Sequence, residues 1–187
     1  ALGNDNFLIG DIGLESSVGH NHLDYNLSWK NPELLSKNSS YMAGIVDFPN
    51  QNSIETKVTS SKIYVKDYLC QFNADHLISI HQGKVQFDHV VLLTDASDIM
   101  IDGRLAKKDD SLVLRVRDVD ADLVNRFLKS QKMELAGAIS ANLQLRSMLL
   151  RDESEKKRVV FGSALIRDFK FNDAPLGNLY AVAAVPH

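Results

Sequence analysis

His20, His22 and Asp24, in the stretch "GHNHLD", have the spacing closest to metal chemistry in this chain. Two imidazoles and a carboxylate at alternate positions of one strand face can ligate a cation when a third or fourth donor arrives from a neighbouring strand. His76, His81 and His89 are the donors available for that, but none has motif-like spacing of its own. The expectation for the pair is therefore a solvent-facing polar strand, and no cofactor or metal is expected. Hydrolytic chemistry fares no better. The only elbow-like segment, "FGSAL" around Ser163, has a glycine before the serine and none after it, so the sharp turn that exposes a nucleophile is missing.

Carboxylates cluster at Asp109, Asp110, Asp118, Asp120 and Asp122. They fall in a turn and at a helix start, where capping accounts for them. "DVDAD" begins like a calcium loop, but Leu123 and Lys129 stand where that loop needs its glycine and its last glutamate. "IDGRL" and "PLGNL" carry single glycines, not a phosphate cradle. Cys70, the only cysteine, excludes an internal disulfide framework and sits among Leu69 and Phe72 as a buried structural residue would. No enzyme is expected from these residues.

Composition bounds the remaining classes. The chain has 187 residues, 44% of them hydrophobic, and a net charge of -3. That is long enough for a sizeable core. The longest basic run, Lys156-Lys157-Arg158, lies beside Asp152, Glu153 and Glu155, so a nucleic-acid surface is not expected. No segment reaches the ~18 consecutive apolar residues of a membrane-spanning helix. The opening "ALGNDNF" reads as an internal cut, so the expectation is one β-rich segment, residues 1–187, excised from a longer protein.

The elements that would carry any site are strands. In "HLDYNLSWK", Leu23, Tyr25, Leu27 and Trp29 alternate with Asp24, Asn26, Ser28 and Lys30. In "DIMIDGRL" the apolar set is Ile99, Ile101 and Leu105, and in "SLVLRVR" it is Leu112, Leu114 and Val116. "MELAGAISANLQL" places Met133, Leu135, Ile139, Leu143 and Leu145 on one side. A period of two is the signature of a half-buried strand. Further strands are expected at 5–16, 40–48, 53–60, 62–67, 76–93, 158–171 and 177–185, several of them apolar on both faces. Phe169 and Phe171 fall in the last but one. A single helix is expected near 120–130, with Asp120 or Asp122 as its cap and Leu123 and Phe127 on one face, and a single turn at 31–37. The fold class is all-β, a long, mainly antiparallel sheet with perhaps ten or more strands. "ASDIMIDGRL", "SLVLRV" and "KMELAGAISANLQL" share a style that suggests a repeating sheet.

Three stretches, 85–128, 133–149 and 164–183, resemble the C-terminal part of the TamB family, within the AsmA-like group of envelope lipid-transfer proteins. The version is the one found in Bacteroidota-like bacteria. The likeness rests on "VQFDHVVLLTDASDIMIDGRLAKKDDSLVLRVRDVDADLVNRFL", "MELAGAISANLQLRSML" and "ALIRDFKFNDAPLGNLYAVA", with Gly103, Gly137 and Gly177 in place. The resemblance implies a curled, half-open tube of sheet (a β-taco) with an apolar inner wall. It also implies a periplasmic location, an inner-membrane anchor elsewhere in the full protein, and phospholipid transport between inner and outer membranes. Expected partners are phospholipid acyl chains and an outer-membrane assembly barrel of the BamA class, with self-association through edge strands. The expected groove residues are Leu23, Tyr25, Leu27, Trp29, Ile99, Ile101, Leu112, Leu114, Val116, Met133, Leu135, Ile139, Leu143, Leu145, Phe169 and Phe171. The same alternation would serve a structural or adhesive β-sandwich or solenoid at a cell surface.

Overall fold

The computed structural model describes residues 2–4, 7–30, 39–65, 68–106, 110–125, 134–146 and 159–184. The turn expected at 31–37, the groove residue Met133 and the second half of the expected helix lie outside them. The described part is all-β. Its strands run β1 Leu2–Asn4, β2 Phe7–Gly19, β3 His22–Lys30, β4 Ser39–Asn50, β5 Ser53–Val65, β6 Tyr68–Phe72 and β7 Leu77–His81. They continue as β8 Lys84–Leu93, β9 Asp98–Leu105, β10 Ser111–Asp120, β11 Leu135–Arg146, β12 Val159–Phe171 and β13 Ala174–Ala183. A short helix, α1, spans Asp122–Asn125. Asp120 Oδ1 accepts the Asp122 N–H at 2.9 Å and so caps it.

All thirteen strands belong to one antiparallel sheet, and chain order is sheet order. Among the described residues β1 and β13 do not pair, so this sheet is open. A two-layer sandwich would need a second sheet, and the described residues hold none.

β6 and β7 occupy one position in this sheet. Both lie between β5 and β8, β7 against Ser53–Thr56 and β6 against Ile63–Val65. Together they form a single strand interrupted at Asn73–His76. The interruption breaks the ladder on both sides, and two side chains replace it. His76 Nε2 accepts the Val58 N–H at 2.9 Å, while its Nδ1–H donates to Asn73 O at 2.5 Å. The Asn73 amide donates to His89 O at 3.0 Å and accepts the Val91 N–H at 2.9 Å. Buried backbone groups must be paired somewhere, and here they are paired by side chains. His76 is only 1% exposed, the largest fully buried side chain among the described residues.

The second irregularity repeats. β8, β10 and β12 each carry one extra residue relative to the following strand, and that residue is left-handed: His89 (φ 49°), Asp118 (φ 52°) and Asp168 (φ 50°). Each bulge has the same partner arrangement. The displaced N–H bonds a polar side chain opposite it on the next strand: His89 to Asp102 Oδ2 at 3.0 Å, Asp118 to Ser140 Oγ at 3.2 Å, Asp168 to Asn178 Oδ1 at 3.1 Å. Asp, Asn and His tolerate the left-handed region better than other side chains, which explains the residue types. Gly137 lies between two of these bulges, at φ 127°, where an added Cβ would stand 2.5 Å from Arg167 O.

The sequence expectation that several strands are apolar on both faces holds for β4, β12 and β13, where Ile45, Phe161, Leu165 and Tyr180 lie opposite the main apolar face, but the bulges account for part of it. A bulge adds one residue and shifts the side-chain alternation by one. In β8 the inward set passes from Val85 and Phe87 to Val90 and Leu92, and in β10 from Leu112, Leu114 and Val116 to Val119. In β12 it passes from Ile166 to Phe169 and Phe171. At these bulges, what looks two-sided in sequence is one-sided in the sheet. Two other expectations change. The segments 53–60 and 62–67 are one strand, with an extra residue at Thr59. The segment 76–93 is two, because Gln82 and Gly83, both at positive φ, turn the chain.

Candidate functional site

Cross-strand partners share a face of a sheet, so the register shows what each strand contributes. From β3, Leu23, Tyr25 and Leu27 stand opposite Val46, Gly44 and Met42 of β4. The face continues through Thr56 and Val58 of β5, and through Cys70 and Phe72 of β6. It then runs through Val90 and Leu92 to Ile101 and Ile99, and on to Leu114 and Val116. Leu145, Leu143 and Ile139 of β11 follow, and then Val160 and Ile166 of β12. At the far flank Ile166 meets Leu179 of β13, and Leu135 meets Phe171. Every expected groove residue within the described part, from Leu23 to Phe171, falls on this one face.

The opposite face carries most of the charge. His22, Asp24, Asp47, Lys57, Asp98, Asp102, Arg104, Arg115, Arg117 and Arg167 lie there by the same register. Ion pairs tie strands together there: Arg117 of β10 to Asp98 of the adjacent β9, and Arg167 of β12 to Asp118 of β10, across β11. Phe161 and Leu165 also sit on this side, and Arg146 covers the Phe161 ring at 5.3 Å.

The apolar face is not covered by a second layer of described residues. Its large side chains are half-buried, alternating along β3 with exposed polar ones. The fully buried apolar residues are few and mostly small: Cys70, Val90, Val91, Ala106, Leu112, Val119 and Ala121. Each side chain is screened by its neighbours in the same sheet and still meets open space. Gly44 shows how closely those neighbours fit. An added Cβ would lie 2.4 Å from the Tyr25 hydroxyl, so the glycine makes room for that ring.

The sheet bends. Tyr68 Oη donates to Asp120 Oδ2 at 2.6 Å, although β8 and β9 lie between their strands. A hollow of about 600 Å³ lies beside this bridge, lined by Tyr68, the Thr94–Ser97 turn, Asp118, Asp120 and Ala136–Ala138.

Of the residues first considered for metal chemistry, His22 pairs with both Asp24 and Asp47. His22 donates from Nδ1 to Asp47 Oδ1 at 2.6 Å and from Nε2 to Asp24 Oδ1 at 3.2 Å. The two carboxylates, Asp47 foremost, raise its pKa above the ordinary value. His20 lies in the turn before β3. Among the described residues no group of three or more His, Cys, Asp or Glu could hold a metal ion. Cys70 is buried, and burial pushes its thiol pKa up, away from reactivity. Among the same residues no helix is long and apolar enough to cross a membrane.

No protein-family model, curated protein or solved structure matches the chain.

The alternation in β3, β9, β10 and β11 marked in sequence the residues that share this face. The bulged continuations (Val90, Val119), the β5 and β6 contributions and the Asn73–His76 break were missed. A signal existed: Asp-His, Arg-Asp and Arg-Asp, at 88–89, 117–118 and 167–168, each followed by an apolar residue that breaks the alternation.

Proposed function

We propose that this chain is a lipid-holding segment of a TamB/AsmA-like envelope protein. In this reading the apolar face receives phospholipid acyl chains on their way between inner and outer membranes. The full-length protein is anchored in the inner membrane, spans the periplasm, and meets an outer-membrane assembly barrel of the BamA class. The observation that carries the proposal is the continuity of one apolar face from β3 to β13, uncovered by any second sheet of described residues. An exposed apolar surface of that extent calls for an occupant.

Energetics support a lipid in that role. Burying a methylene gains about 0.8 kcal/mol, so a palmitoyl-length chain gains on the order of 10 kcal/mol on leaving water. Such a gain needs no polar contact to the ligand, consistent with a wall of Leu, Ile, Val and Phe without any cluster of reading residues. The polar face, laced with ion pairs, keeps the outside of the sheet in water.

Lipid extraction from the purified chain, followed by mass spectrometry, tests this. Co-purifying phospholipid, together with saturable uptake of a fluorescent fatty acid, is the expected result. Absence of both removes the proposal.

A further inference from the structure

A second hollow, of about 490 Å³, opens on the charged face of the sheet. Register places it over two adjacent rows of outward side chains. One row runs Val91, Met100, Arg115, Asn142 across β8 to β11, and the next runs Leu93, Asp98, Arg117 across β8 to β10. Two arginines therefore stand side by side on β10, and they are not equally engaged. Arg117 covers Asp98, whose side chain is only 17% exposed while its own is 70% exposed. A carboxylate takes at most one edge of a guanidinium, so Arg117 keeps donors for the hollow. Arg115 has no ion pair or hydrogen bond among the described residues, and neither the Asn142 amide opposite it nor the His89 ring has one.

We propose that this hollow binds a phosphate ester, with Arg115, Arg117 and Asn142 on the phosphate and the organic part against Val91 and Met100. The charge balance favours an anion. The lining carries two guanidinium groups against the one carboxylate of Asp98, which Arg117 neutralises. Asp102, the next carboxylate along β9 on that face, is occupied by the His89 N–H. The spread of the donors selects phosphate over carboxylate. A planar carboxylate is satisfied by one guanidinium fork. Here donors arrive from three strands, His89 on β8, the arginines on β10 and Asn142 on β11, and a tetrahedral phosphate has an oxygen to offer each. The floor is apolar, with Val91 only 9% exposed, which suits the carbon of an ester better than a bare ion. The β8 wall is also fixed in advance. The Asn73 amide holds both His89 O and the Val91 N–H, so little freedom is lost when a ligand enters. A membrane lipid headgroup and a soluble phosphate ester present this same chemistry.

The site lies on the opposite face from the proposed acyl-chain wall, so it stands whether or not that reading does. Glycerol phosphate titrated into the whole chain at low salt, followed by calorimetry and by NMR of the amides, should bind saturably and shift the Val91, Arg115 and Asn142 signals. Arg115→Gln, at an exposed site, should weaken binding at least tenfold. Arg146→Gln, on the same face but outside the hollow, should leave it unchanged. Phosphatidylglycerol vesicles identify the source. Co-sedimentation of the wild type, lost in Arg115→Gln, assigns the site to a lipid headgroup, and binding of glycerol phosphate alone assigns it to a soluble ester. Failure to saturate with either probe, equal weakening by the two arginine variants, or acetate binding as tightly as glycerol phosphate would overturn the proposal. Circular dichroism of each variant separates lost binding from a lost fold.

Discussion

The Tyr68 hydroxyl bonds the Asp120 carboxylate across two intervening strands. In a flat sheet the backbones of β6 and β10 would lie about 14 Å apart, three strand spacings. Twist and bulges bring them within reach over the Thr94–Ser97 turn. Tyr68→Phe removes this bridge and should cost about 1–3 kcal/mol, because the acceptor is charged. Asp120→Ala should cost more, since it also removes the cap of α1. Urea unfolding of both variants measures the difference, and equal losses would show that the cap adds nothing beyond the bridge.

The Asn73–His76 break should be the most sensitive point in the sheet. His76→Ala leaves the Val58 N–H without an acceptor and opens a void at a fully buried site. About 3–5 kcal/mol is expected from those two effects together. Asn73→Ala frees His89 O and Val91 N–H and should cost about 2 kcal/mol. The two residues share a hydrogen bond, so the double variant should lose less than the sum. A double-mutant cycle by thermal or urea unfolding decides it.

Ser140 both accepts the Asp118 N–H and donates to Asp118 Oδ1. Ser140→Ala should destabilise the bulge by about 1–3 kcal/mol. Asp118→Val should do so more strongly, since a β-branched residue resists a left-handed backbone. Asp118→Gly should fall between the wild type and the valine variant. Hydrogen exchange at the Asp118, Val119 and Asp120 amides would localise the effect.

Two groups set opposite pH trends. The His22 pKa is raised by its hydrogen bond to Asp47, then by Asp24. Its stabilisation is therefore full below the unfolded value of 6.5 and fades as pH rises through the higher folded value. The Asp118 pKa is lowered by its hydrogen bond from Ser140 and by Arg167. Its stabilisation is present above the unfolded value of 3.8 and is lost as pH falls through the lower folded value. Both groups are solvent-exposed, so the contributions are small. NMR titration should find His22 above its ordinary value, and Asp47→Asn should return it most of the way. An unchanged titration in that variant would assign the shift elsewhere.

If the apolar face holds acyl chains, a charge at its middle should empty it. Leu114→Asp should reduce fluorescent fatty-acid uptake at least tenfold. Arg115→Glu, one residue along on the polar face, should leave uptake unchanged. Equal uptake by both variants would place any bound lipid elsewhere.

The sequence shows the wall where the alternation is unbroken, as in Leu23 to Trp29 or Leu112 to Val116. It hides the wall wherever the backbone inserts a residue. Val90 and Val119 look misplaced until His89 and Asp118 are seen at positive φ, because a count of two per residue pair cannot register a third. The break at Asn73–His76 was illegible for another reason. Its ladder is completed by side chains whose partners, Val58 and Val91, lie 18 residues away in opposite directions.

Because chain order and sheet order coincide, the mechanical behaviour of this sheet follows. Tension applied to its two ends passes through the ladders in series, and the outermost ladders, where the pull enters the chain, are the first to open. Such a sheet peels from its margins in small steps, each reversible while the remainder stays intact, instead of rupturing at once. A wall built this way can stretch and re-zip under strain between the points that hold it.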